Sequence, residues 1–162
     1  MSFFDKLLKI FFKDYFNKKI IILGYQNINQ ARKNYKKILD INDVEIKIFS
    51  QNGEDGIIDY LLHSLSIKKP KFVEIGVGDY SESNTKFVHE TRSCKGLIID
   101  CISEFERKVK KNTKLWKGNL TILQKKISPG NILLVLEKTN FDKYVDLFSI
   151  DIDGLDYWVL SK

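Results

Sequence analysis

Residues 72–85 read Phe72-Val-Glu-Ile-Gly-Val-Gly-Asp-Tyr-Ser-Glu-Ser-Asn-Thr85, and the fold turns on this stretch. Phe72 to Ile75 is a short apolar run of strand character that leads directly into a glycine loop, Gly76-Val-Gly78. Glycine permits a tight turn and leaves no side chain between the backbone and a ligand. A helix is expected behind the loop from Ser81 to Glu90, capped by Ser81 or Ser83. Its first N–H groups would then be free to meet a bound group.

Working outward, the same alternation repeats. Gly96-Leu-Ile-Ile-Asp100 is a second strand, with a charged helix from Glu104 to about Lys111 after it. Leu120 to Leu123 is a third strand, and Pro129-Gly130 introduces a helix over Asn131 to Lys138. Val145 to Asp153 is a fourth strand with a carboxylate-rich end. Upstream, Ser50-Gln-Asn-Gly-Glu-Asp-Gly56 opens a helical pattern carried by Ile57, Ile58, Leu61, Leu62 and Leu65, with Ser50 and Asp55 as candidate caps. Lys68-Lys69-Pro70 breaks that pattern. Strands alternating with helices predict an α/β fold, a Rossmann-like parallel sheet flanked by helices.

Asp100 follows the glycine loop by about 20 residues, at the carboxyl end of the next strand, where an acid accepts hydrogen bonds from ribose hydroxyls. Loop, spacing and acid together predict nucleoside binding, against the plainer reading of a tight turn beside a surface aspartate. A dinucleotide asks for a third glycine, and Tyr80 stands at that place. Glu74 is also a poor neighbour for a pyrophosphate, whereas an acid suits the sulfonium and amino groups of S-adenosylmethionine. At the fourth strand end, Asp151 and Asp153 share a face if the strand persists, close to where a transferred methyl would sit. They read as a general base for a hydroxyl or, less readily, as an acidic metal pair, against the plainer reading of acids of an Asp-Gly turn capping the next helix beside Asp156. Tyr157 and Trp158 read as packing residues, and His63 and His89 as structural ones. No metal set is expected, and Cys94 and Cys101 read as small buried or half-buried thiols.

The remainder is a helical extension, residues 1–43, ahead of a main domain at 44–162. Hydrophobic content of 43% and charged content of 30% are those of a soluble globular chain. No apolar run is long enough to span a bilayer and no signal-peptide cleavage site follows the N-terminus, so a cytoplasmic location is expected. The net charge is +6, but residues 1–43 hold nine Lys/Arg against four Asp, which leaves the main domain close to neutral. A near-neutral domain argues against a nucleic-acid partner. Phe3-Phe4, Leu7-Leu8, Phe11-Phe12 and Tyr15-Phe16 recur every four residues and predict an amphipathic helix. It would pack on the domain or a partner chain, or lie on an anionic membrane through residues 3–16.

Four blocks together resemble a bacterial group related to the FkbM-type methyltransferases. They are the stretch 72–85, Phe49-Ser-Gln-Asn-Gly-Glu-Asp-Gly-Ile57, Gly96-Leu-Ile-Ile-Asp100, and Leu147-Phe-Ser-Ile-Asp-Ile-Asp-Gly-Leu-Asp-Tyr-Trp158, in that order. The resemblance covers most of residues 45–160 and implies the first half of a class I methyltransferase fold. It implies that Glu74, Gly76 and Gly78 line the methionine end of S-adenosylmethionine and that Asp100 holds its ribose. Ser50 and Gln51 would pack near the same pocket, and Asn84 and Thr85 would fix the loop. Many related enzymes carry a further glycine where Tyr80 stands. No acidic residue in Gln124 to Ser128 matches the position that contacts adenine.

The function expected from these residues is O-methylation of a saccharide or other small hydroxyl-bearing substrate. A non-catalytic nucleoside-binding module of the same fold is one alternative, and an NAD-dependent oxidoreductase or epimerase another. Further strands and substrate loops would follow the fourth strand in a complete methyltransferase, so the chain is expected to be incomplete at its C-terminus.

Overall fold

The computed structural model describes residues 3–162, with the side chains of residues 3–10, 13, 14 and 117 left aside. In chain order the elements are α1 (Phe3–Arg32), α2 (Glu54–Ser64), β1 (Lys71–Ile75), α3 (Lys86–Arg92), β2 (Lys95–Asp100), α4 (Phe105–Asn112), β3 (Asn119–Gln124), α5 (Ile132–Lys138), β4 (Leu147–Ile150) and α6 (Asp156–Leu160). The four strands form one sheet in the order β3-β2-β1-β4, and every pairing is parallel. The fold is therefore α/β, with a Rossmann-like parallel sheet flanked by helices.

Strand periodicity sorts the core into two layers. Phe72 and Ile98 point into one, where they meet Ile58 and Leu62 of α2, Val88 of α3, and Phe105 and Val109 of α4. Val73, Ile75, Leu97 and Ile99 point into the other, against Ile132 and Val135 of α5 and Val159 of α6. β1 is buried along nearly its whole length because it has a strand on each side and helices on both faces.

α1 joins this body through its C-terminal half. Ile28 is fully buried and clusters with Phe49 and Phe87. Beyond it, Asp59 of α2 gathers three partners. Arg32 Nε and Nη2 donate to its two oxygens at 2.9 and 2.6 Å, Tyr35 Oη donates at 3.0 Å, and Arg92 of α3 also donates to it. Burial alone would raise the Asp59 carboxyl, but the two guanidinium groups more than offset it and hold it below the usual range.

Two elements, α3 and β4, differ most from the sequence expectation. α3 starts at Lys86 and not at Ser81, because residues 79–85 fold back over the end of β1. β4 ends at Ile150 and not at Asp153, since the chain turns at Ile152 to Gly154 to enter α6.

Candidate functional site

The chain leaves β1 towards β2 on one side and returns through β4 on the other, so the connections diverge at the carboxyl ends of β1 and β4. Ligands of open parallel sheets bind in the crevice made at such a point. The glycine loop stands there. Gly76 has φ +83° and donates its N–H to Ile99 O at 2.9 Å. A Cβ on Gly76 would lie 1.7 Å from Asp151 O, so this glycine is demanded by the packing of β1 against the end of β4. Gly78 is different. It has φ +58°, and a Cβ added there would meet nothing within 4 Å. It presents bare left-handed backbone to open space.

Asp100 holds that backbone in place. Its Oδ2 accepts from Gly78 N at 2.8 Å and its Oδ1 from Ile102 N at 3.0 Å. Each carboxylate oxygen has a second acceptor position, so two remain for a ligand hydroxyl pair. Asp100 is half-buried and sits in register with Gln124 at the end of β3. A shallow, open depression of about 620 Å³ adjoins this side, lined by Gln124 and by Glu104, Glu106, Arg107, Lys110 and Lys111. It includes neither the glycine loop nor Asp100, and its charged walls mark it as a groove over α4.

Glu74 does not line the crevice as the sequence suggested. It shares a face of β1 with Phe72 and is buried, and both of its carboxylate oxygens are engaged by the loop above it. Oε2 accepts from Ser83 Oγ at 2.6 Å, Thr85 Oγ1 at 2.5 Å and Thr85 N at 3.0 Å, while Oε1 accepts from Asn84 N at 2.9 Å. Burial pushes the Glu74 carboxyl up, and these hydrogen bonds pull against that shift. The result corrects a second expectation. The amides of Asn84 and Thr85, which lead into α3, are not free for a ligand, because they already serve Glu74.

Asn84 and Thr85 fix the loop, and the structure shows by what contacts. Asn84 Nδ2 donates to Ser149 Oγ of β4 at 3.1 Å, which ties the loop across β1 to its neighbour. Thr85 Oγ1 lies 3.1 Å from Tyr80 Oη. Tyr80 adopts the left-handed conformation at φ +62° where a glycine would be easier, and its fully buried ring packs in the core beside Phe72 and Phe105. The sequence does not single out Ser149, and it offers Ser83 as a helix cap where the structure makes it a donor to Glu74. A serine within the apolar run Leu147-Phe-Ser-Ile150 was the available signal for the first.

The upstream motif lies alongside this loop. Asp55 Oδ2 accepts from the N–H groups of Ile48, Phe49 and Ser50 and from Ser50 Oγ, at 2.6 to 2.9 Å. Ser50 Oγ in turn accepts from Asp55 N at 3.0 Å. The N-cap of α2 is Gly53, so neither Ser50 nor Asp55 fills that position; together they shape the turn ahead of the helix. The Lys86 ammonium sits 4.4 Å over the Phe49 ring and donates to Ser81 O at 3.1 Å, which joins the turn to the loop. Gln51 is exposed in that turn.

The acidic strand end is rearranged relative to the sequence reading. Asp151 follows β4 with its backbone carbonyl against Gly76 and its side chain exposed. Asp153 lies in a turn at φ +52°, so strand periodicity no longer places it on one face with Asp151. Asp156 accepts from Ile152 N at 2.8 Å and Gly154 N at 3.2 Å, and these bonds lower its pKa. The turn-closing reading therefore holds for Asp156. Tyr157 and Trp158 are largely exposed and pack edge to face on each other, not into the core. Cys94 is buried, but Cys101, next to Asp100, is exposed. His63 lies edge-on to Tyr35 and His89 is buried beneath Gly118. Among the described residues no group of His, Cys, Asp or Glu could hold a metal ion.

No family model, no curated protein and no solved structure matches the chain.

Proposed function

We propose that the chain binds S-adenosylmethionine in the crevice between Gly78 and Asp100 and methylates a hydroxyl oxygen on a saccharide or another small acceptor. The observation that carries this reading is the pairing of an open, left-handed Gly78 with a carboxylate that holds its amide and keeps two acceptor positions. Bare backbone admits a ligand to van der Waals contact, and the spare lone pairs suit the two hydroxyls of a ribose. The resemblance of the four sequence blocks to FkbM-related methyltransferases points the same way.

The choice of methyl donor over dinucleotide rests on the amides after the loop. A diphosphate needs N–H groups at a helix start, and those of Asn84 and Thr85 are bonded to Glu74. A buried carboxylate in that place would also repel it. When bound, the donor supplies a methyl carbon made electrophilic by an adjacent sulfonium. The chain's own part is to orient and to accept a proton. Asp100 holds the ribose, Gly76 and Gly78 shape the floor, and Asn84 and Ser149 keep the loop fixed. Asp151, adjoining Gly76 at the end of β4, takes the acceptor's hydroxyl proton, with Asp153 a second carboxylate on the following turn. Among the described residues no helix is long and apolar enough to cross a membrane. The donor is an intracellular metabolite, so the reading carries a cytoplasmic location with it.

The test is turnover across a panel of sugars and small alcohols, read as release of S-adenosylhomocysteine. Activity with one acceptor class is expected, falling about 100-fold or more in Asp151→Asn. Donor binding with no turnover on any acceptor would reduce the assignment to a nucleoside-binding module of the same fold.

A further inference from the structure

We propose that the outward face of α1 docks on an anionic lipid surface. The proposal stands apart from methyl transfer and rests on how the helix divides its residues. One stripe, Asn17, Ile21, Gly24, Ile28 and Ala31, follows helical spacing and faces the domain. Ile28 is fully buried, and Gly24 is flush with Ile48, whose side chain would lie 2.8 Å from an added Cβ. The ion cluster of Arg32 with Asp59 locks this end of the helix to α2. The helix cannot turn its other face inward.

That other face is also apolar. Phe11, Phe12, Tyr15, Phe16, Ile22 and Leu23 are each between 46% and 68% exposed. Six large apolar side chains in two adjacent rows, interrupted at one step by Lys18 and Lys19, are unlike the scattered exposure normal for a soluble surface. The spacing of the rows shows what they fit. Phe11, Tyr15, Lys18 and Ile22 form one row and Phe12, Phe16, Lys19 and Leu23 the next, so each row carries a lysine at the same step. The Lys19 ammonium lies 5.1 Å from the centre of the Tyr15 ring.

Charge selects among the occupants. A second copy seated on this face would bury Lys18 and Lys19 in an apolar seam opposite its own lysines. An apolar protein groove would desolvate the same ammonium groups. A lipid interface accommodates both features, since the rings sink below the headgroups while long lysine stems reach up to anionic phosphates. The electrostatics of the whole chain agree, because its excess positive charge lies within residues 1–43. α1 would lie along the surface, since it is too polar to cross it.

The experiment is co-sedimentation of the full chain with phosphatidylcholine vesicles, with and without phosphatidylserine. Binding is expected only to the anionic vesicles and should weaken as salt is added. Lys18→Glu with Lys19→Glu should reduce it by about tenfold or more. Phe12→Glu with Phe16→Glu should reduce it similarly. All four positions are exposed, so both variants should keep the wild-type circular dichroism and unfolding midpoint. The proposal is overturned if anionic vesicles do not bind, if neutral vesicles bind equally, or if sedimentation velocity shows a dimer that the phenylalanine variant dissociates.

Discussion

Gly76 and Gly78 stand two residues apart, and alanine should separate their roles. At Gly76 the new methyl would run into Asp151 O, a backbone atom that cannot move without parting β1 from the end of β4. Gly76→Ala is therefore expected to destabilise the fold by more than about 3 kcal/mol, measured by urea denaturation. Gly78→Ala meets no atom and carries only the cost of a left-handed alanine, about 1–2 kcal/mol. It should stay folded yet lose the ligand, because the methyl occupies the open space in front of the loop. Sequence showed that both glycines mattered. It could not show that one serves the sheet and the other the crevice, because that depends on which residue of β4 arrives opposite. The burial of Glu74 is not legible, since an acid near the end of an apolar strand reads as a ligand contact. Its partners are not legible either, because Ser83 and Thr85 reach it only through a loop with no periodicity.

Residues 79–85 form a strap that one buried carboxylate organises. Removing the acceptor should release it. In Glu74→Ala the amides of Asn84 and Thr85 lose their partner in a buried setting, at about 1–3 kcal/mol for each group left unpaired. Hydrogen exchange at these two amides should accelerate well beyond the change at β2, whose ladder is untouched. Equal acceleration at both places would mean that Glu74 supports the whole fold and not the strap. The strands and helices around the strap were readable, because β1, β2 and β3 are apolar runs bounded by turn residues and α5 follows Pro129-Gly130. In sequence the strap reads as the first turn of α3, since Ser81 and Ser83 have the chemistry of helix caps. Ser83 gives its hydroxyl to Glu74 instead. The end of β4 misleads for a similar reason: Ile152 continues the apolar alternation, but Asp156 draws its amide into a turn.

Across the whole molecule, Asp59 joins α1, α2 and α3 through Arg32 and Arg92. Asp59→Asn leaves two guanidinium groups facing a neutral amide and should cost about 3 kcal/mol at neutral pH. Asp59 has its carboxyl held below the usual range when folded. Its contribution is therefore complete above about pH 4, the ordinary aspartate value, and is lost as pH falls through the lower folded one. The stability gap between wild type and Asp59→Asn should thus narrow on acidification below about pH 4. Burial raises Asp55 and Glu74 instead, an effect of opposite sign that both chains share and that cancels in the difference. The parallel sheet with helices on both faces was legible in the alternation of strands and helices. The anchoring of α1 was not, as it depends on Arg32 meeting a residue of α2 that is 27 positions away. The central claim is a nucleoside crevice selective for a methyl donor, and calorimetric titration of S-adenosylmethionine and of NAD into the chain tests it most directly. Saturable binding of S-adenosylmethionine, absent for NAD and abolished in a folded Asp100→Ala variant, is the expected result. Tighter binding of NAD, or binding of S-adenosylmethionine that survives Asp100→Ala unchanged, would contradict it.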